Sequence, residues 1–161
     1  MTLAPSAPPS QALRRYQRLQ GSLLGRWRFA RIARRRTPLL AWLQAQFVEL
    51  RVGLCRTEMH AHRRVCWSDG AIDPMAIGAL AQLAAITLIE VSVPEGLSWS
   101  ARGLMLEHLR RAESAVLATA RLDKADWAET GLLGVPVTIG DAAGSEVARA
   151  VVSFAVAMRT D

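Results

Sequence analysis

Residues 71–93 read AIDPMAIGALAQLAAITLIEVSV, and the rest of the chain has to be arranged around them. Between Met75 and Ile89 the clearly polar side chains are Gln82 and Thr87, so a helix here has no face to offer to water and must be covered on nearly every side. Asp73 is placed to cap such a helix, Pro74 suits its first position, and Pro94 and Gly96 stop it. About 20 residues from Asp73 would span about 30 Å, a length that either a membrane or a curved sheet covers. Gln82 in the middle, and Asp73 and Glu90 bracketing only about 15 apolar residues, favour the sheet.

The length of 161 residues is that of one domain with a real core, and the composition, 51% hydrophobic and 21% charged, is that of a globular protein. Two cysteines, Cys55 and Cys66, outside any cysteine framework, fit a reducing, cytoplasmic compartment. The net charge of +6 is unevenly placed: residues 1–48 hold nine arginines and no acid, and the remaining residues hold eleven Arg and Lys against fourteen Asp and Glu.

Residues 1–10, with three prolines, read as a flexible tail, and residues 11–46 as a basic helical extension. The extension falls into two helical pieces, about 11–20 and 23–36, broken at Gly21-Ser22 and ended by Thr37-Pro38. Arg28, Arg31 and Arg35 share one side of the second piece. Three readings stand for it: a solvated cationic face packed down by Trp27 and Phe29, contact with anionic lipid headgroups at the inner membrane face, or contact with the phosphates of a coenzyme A ligand. Nucleic acid is disfavoured, since no recognition motif accompanies the charge. The Arg-rich, acid-free composition is also that of a transit peptide.

From Phe47 the period becomes two. Val48, Leu50 and Val52 alternate with Glu49 and Arg51, and after Gly53 the run Cys55, Thr57, Met59, Ala61 alternates with Arg56, Glu58, His60 and His62, as a strand or a bulged pair. His60 and His62 share a face without a third ligand at a recognisable spacing, so no metal is expected. Four more strand-like runs follow the helix: Leu97–Leu109, Ser114–Leu122, Leu132–Ile139 and Glu146–Met158, most simply joined as antiparallel hairpins. Pro136 marks its strand as an edge or a bulge. One strand region, a long buried helix and four strands make an α+β fold, a curved antiparallel sheet wrapped around the helix.

That order, together with four segments, resembles the hot-dog fold of the PaaI-like thioesterase superfamily, and within it an uncharacterised bacterial group with a basic N-terminal helix. The segments are Gly25-Arg26-Trp27-Arg28-Phe29, Leu80-Ala81-Gln82-Leu83-Ala84, Val91-Ser92-Val93-Pro94 and Gly103-Leu104-Met105-Leu106-Glu107-His108-Leu109. The resemblance covers nearly the whole chain past residue 12, with 47–161 as the hot-dog domain. It implies an acyl-CoA thioesterase with no cofactor beyond the coenzyme A of the substrate, its pocket at the interface of a homodimer or a dimer of dimers, and the thioester carbonyl resting on N–H groups at the start of the central helix. A carboxylate then activates water or attacks directly. The family's Asn, His and acid positions fall here on Trp67, Asp73 and Gln82. Gln82 holds a water or a carbonyl but accepts no proton, so an acid would have to come from Asp73 or from Asp69 in the Trp67-Ser68-Asp69-Gly70 loop. Gly70 and Ala71 then sit at the oxyanion end, with Trp67 and Ser68 beside the substrate. Asp73 is equally a structural cap and Asp69 a turn residue. Glu107 and His108 point to opposite faces of a strand, Cys66 lacks an activating partner, and Trp67 and Trp99 suit either an acyl pocket or a subunit contact. The alternative function is an acyl-thioester or lipid-binding protein that kept the pocket and lost the base.

Overall fold

The computed structural model describes residues 38–123 and 131–159; the expected tail and basic helix, and most of the turn expected at 123–126, lie outside them. A 3-10 turn, Pro38–Leu43, leads into β1 (Gln46–Arg51) and β2 (Leu54–Met59). Then come α1 (Pro74–Ser92), β3 (Leu97–His108), β4 (Val116–Arg121), β5 (Gly131–Asp141) and β6 (Glu146–Met158). The helix begins as expected: Asp73 is its N-cap and accepts from the Met75 N–H, with Pro74 in the first turn. The strands form one antiparallel six-stranded sheet in the order β1-β2-β4-β5-β6-β3. This is the hot-dog arrangement, α1 lying in the concave face of the sheet.

The core is the packing of α1 into that face. Ala76, Ile77, Leu80, Ala81, Ala84, Ala85, Leu88 and Ile89 are all buried against the inward side chains of the strands, among them Met59, Val116, Ala118, Val135, Ile139, Val152 and Phe154. Small residues meet on both sides, so helix and sheet come close. At Gly78 a Cβ would lie 3.1 Å from Leu106 Cδ2, which shows how near β3 passes. The helix is apolar and long enough for a membrane, yet 67% of its most apolar window is buried inside the fold.

Four details of the sequence reading are corrected. β3 makes no hairpin with β4; it pairs with β6 at the far edge, because α1 crosses the sheet and delivers the chain at the side opposite β1. Pro136 lies in an interior strand, but β4 is short and its pairing with β5 stops at Val137, so Pro136 stands just past it, where only β6 flanks the strand. In β1 a bulge between Phe47 and Glu49 shifts the alternation, so Phe47 and Leu50 are buried while Val48 and Val52 are exposed. β2 ends at Met59, which leaves Ala61 outside it.

Phe154 is fully buried and meets Trp99 edge-on, ring centroids 5.7 Å apart. Phe154→Ala should therefore lower unfolding free energy by about 3–5 kcal/mol, read from urea denaturation. A loss below about 1 kcal/mol would mean that the core does not close over this ring.

Candidate functional site

The segment between β2 and α1 folds back on itself before the helix starts. The Trp67 N–H donates to the Ala71 carbonyl (2.8 Å) and the Gly70 N–H to the Trp67 carbonyl (3.0 Å), closing a small loop with Ser68, Asp69 and Gly70 at its tip. Gly70 has φ of +86°, a conformation that glycine adopts without strain. Two bonds stitch the loop to the fold: Ile72 N–H to the Ala112 carbonyl and Asp73 N–H to the Val65 carbonyl, both 2.8 Å. The residues after β3 are thus held against the start of α1.

A cleft of about 270 Å³ lies where these segments meet, lined by Trp67, Ala71, Ile72, Pro74 and Ile77 on one side and His108 to Ala112 on the other. His108 pairs with Ala148, a core-facing residue, so it points to the helix side of the sheet; Glu107 pairs with Arg149 and points outward, where their side chains meet at 3.5 Å. The cleft therefore combines an apolar wall with His108, Arg110 and Arg111 at the positive end of a helix, the Arg110 guanidinium donating to the Glu146 carbonyl at 3.0 Å.

Asp69 is committed twice. Its Oδ1 accepts from the Ala71 N–H at 3.2 Å and its Oδ2 meets Arg111 at 2.7 Å; Arg111 also meets Glu113 at 3.0 Å. The Ala71 N–H, and the Arg111 guanidinium with it, hold the Asp69 carboxyl below the usual carboxylate range. Asp69 is charged at neutral pH and a weaker base than a free carboxylate. Asp73 is committed as well, its Oδ1 accepting from the Met75 N–H at 2.7 Å.

Trp67 and Ala71 line the cleft, Ser68, Asp69 and Gly70 form the loop tip, and Asp73 sits at the helix start beside it. Gln82 is elsewhere. It lies nine residues beyond Asp73, about 13 Å along the helix axis, and does not line the cleft of its own chain. It belongs to the stripe of α1 that the sheet leaves uncovered, with Met75, Ala79, Leu83 and Ile86 at helical spacing. Trp99 is remote too, packed on Phe154. Cys66 is half-buried beside the loop, and Cys55 is fully buried, which pushes its thiol up and leaves it inert. His60 pairs with Glu58, and His62 faces the Leu43 carbonyl at 3.4 Å. Sequence reasoning weighed His108 only as a couple with Glu107 and set it aside, and it did not single out Arg111. The phase of β3 held the signal for His108, since Leu104 and Leu106 precede it on one face; Arg111 gave none, because its pairing with Asp69 spans 42 residues.

Residues 25–156 match the family model described as domain of unknown function DUF4442. The chain belongs to the DUF4442 family. Among solved structures, a genomics target, APC5556, shares 31% identity with it, covering 92% of this chain and 99% of its own, with a TM-score of 0.82. A probable thioesterase from Pseudomonas aeruginosa is 17% identical over 82% of this chain and 95% of its own, with a TM-score of 0.72. A putative thioesterase from Ralstonia eutropha, a phenylacetic acid degradation-related protein, is 19% identical over 74% of this chain and 89% of its own, with a TM-score of 0.63. The last two likenesses are of fold, and that fold is shared by proteins named as thioesterases. Among curated proteins none is significantly similar.

Asp69 supplies a test. A depressed folded pKa gives stability that is present above the unfolded value, near pH 4, and is lost as pH falls below it. Asp69→Asn should be less stable than the wild type at pH 7, and the gap should narrow as pH falls below about 4, measured by thermal unfolding. A gap that stays constant with pH would show that the carboxylate charge contributes nothing.

Proposed function

We propose that this DUF4442 protein handles an acyl thioester, in the manner of a thioesterase-like hot-dog protein, with the thioester end of a coenzyme A ligand in the cleft at the start of α1. The observation that carries this is the lining of the cleft. Trp67, Ile72 and Ile77 suit an acyl chain, while His108 and Arg111 at the mouth suit the polar and anionic part of the ligand. Asp69, Asp73, Gly70 and Ala71 surround the point where a carbonyl would arrive, at the positive end of the helix.

A second copy of the chain completes the site in this reading. β3 is an edge strand of 12 residues exposed on most of its length, with Leu104 39% and Met105 71% accessible. An edge of that length, unpaired among the described residues, invites another strand. The uncovered stripe of α1 runs near the same edge, since Gly78 approaches Leu104 and Leu106. A partner paired there would cover both and bring its own Gln82 toward the cleft, where the amide would hold a water without accepting a proton.

Two measurements test these statements. Acyl-CoAs of short, long and aromatic acyl groups should raise the melting temperature of the wild type, and Trp67→Ala should reduce the rise, because ligand at about 100 times its Kd adds about 2.7 kcal/mol to folding stability. A melting temperature unmoved by every acyl-CoA would remove the acyl-thioester reading. Light scattering should give twice the monomer mass, and Leu104→Glu, which buries a charge at the paired edge, should give the monomer mass; a wild-type monomer would reject the composite site.

A further inference from the structure

Every backbone N–H between Gly70 and Ile77 already has an acceptor inside the protein. Gly70 donates to the Trp67 carbonyl, Ala71 to Asp69 Oδ1, Ile72 to the Ala112 carbonyl and Asp73 to the Val65 carbonyl. Pro74 has no N–H, Met75 donates to Asp73 Oδ1, and Ala76 and Ile77 both donate to the Asp73 carbonyl. Most of these bonds are backbone ladders that hold the loop and the first helical turn in shape. Two are different. The Ala71 and Met75 N–H groups, beside the cleft, are each taken by a side-chain carboxylate, at 3.2 and 2.7 Å.

Hydrolysis of a thioester at this end of α1 would need N–H donors aimed at its carbonyl. A water oxygen bonds to the carbonyl carbon while the carbonyl π pair moves onto its oxygen, giving a tetrahedral oxyanion. Collapse of that oxyanion breaks the C–S bond, and the departing thiolate takes up the proton lost by the water, leaving a carboxylic acid and a thiol. The oxyanion is stabilised by N–H groups aimed at it, and losing one such donor typically lowers kcat by about 10²–10³. Here the developing charge would meet carboxylates in the place of donors. A carboxylate is also a stronger acceptor than a neutral thioester carbonyl, so the ligand does not displace Asp69 or Asp73 by binding alone. Asp69 is further pinned by Arg111 at 2.7 Å. Gln82 offers no base.

We propose that the cleft retains its acyl thioester without hydrolysing it, because Asp73 and Asp69 occupy the two N–H donors on which the oxyanion would rest. This inference rests on the acyl-thioester reading of the preceding subsection and assigns the protein to carriage or sensing of the thioester rather than to its turnover. Asp73 acts as an internal plug. It makes the cleft indifferent to the ligand's carbonyl while the acyl chain and the distal anionic groups supply the affinity.

The experiment uses the full chain and the acyl group that gives the largest rise in melting temperature, supplied both as the acyl-CoA and as the alkyl-CoA thioether, in which CH₂ replaces the carbonyl. Calorimetry should find the two ligands within twofold of each other in wild type, and the acyl-CoA should be recovered intact, by thioester absorbance, after long incubation. Asp73→Ala opens the Met75 N–H and should favour the acyl-CoA over the thioether by about fivefold, the worth of one hydrogen bond to a neutral carbonyl. Asp73→Asn keeps a capping oxygen and should behave as wild type does. Turnover of any acyl-CoA by the wild type above the rate of heat-denatured protein, or a wild-type preference for the acyl-CoA above tenfold, would overturn the inference and leave the acyl-thioester reading standing. If neither ligand binds, that reading falls and the plug falls with it. Should Asp73→Ala fail to fold, the wild-type ratio and the turnover measurement still decide.

Discussion

A helix without a polar face governs this fold. The stretch from Ala76 to Val91 buries residues on three sides, and only a sheet that curls can reach all three. The curl is made possible by small side chains where helix and strands meet: Ala81, Ala84 and Ala85 on α1, and Cys55, Ala118 and Ala120 on β2 and β4, all fully buried. Larger residues there would hold the layers apart, and the ends of the sheet would no longer wrap. The side that the sheet cannot reach is the stripe through Met75, Ala79, Gln82 and Ile86, which leaves the constraint unfinished within one chain.

The same constraint explains the position of the cleft. A helix buried along its length brings its N-terminus to the rim of the sheet, where its unpaired donors must be satisfied. The chain does so with its own atoms: Asp73 caps the first turn and Asp69 ties the loop. Capping favours folding by about 1 kcal/mol, and it uses the groups that a reaction at this end would require. Stability and chemistry compete here for the same hydrogen bonds, and the Asp-Pro pair that starts the helix sides with stability.

The sequence showed the elements well because their signals are local. Asp73-Pro74, Pro94 and Gly96 set the ends of the helix, and the period-two runs set the strands to within a few residues. Strand order was less legible. β3 lies beside β6 and β2 beside β4, pairings that join residues far apart in the chain, and no turn signal reports them. Alternation misled at Val48, where one extra residue in a bulge inverts the faces that follow. The site was legible as a loop and a helix start, in Trp67 to Asp73. Its other wall was not, since His108 and Arg111 enter only through the path of β3 across the sheet, which depends on where the far edge lies. Gln82 shows the converse: its sequence neighbours resemble those of a catalytic position, and its place on the open stripe of the helix separates it from the cleft of its own chain.

The placement of β3 also has a temporal side. It leaves the ribosome directly after the central helix, yet among the described residues its one neighbour, β6, is the last strand and runs to Met158. About 50 residues separate the end of β3 from the end of its mate, which at 5–20 residues per second is roughly 3–10 s of synthesis. During that interval Leu104, Met105 and Leu106 belong to an extended segment with no strand to pair with, while β1, β2 and β4 are already able to assemble. The strand at the edge of the finished sheet is therefore also the segment that waits longest for its neighbour, and the nascent chain is most open to mispairing there.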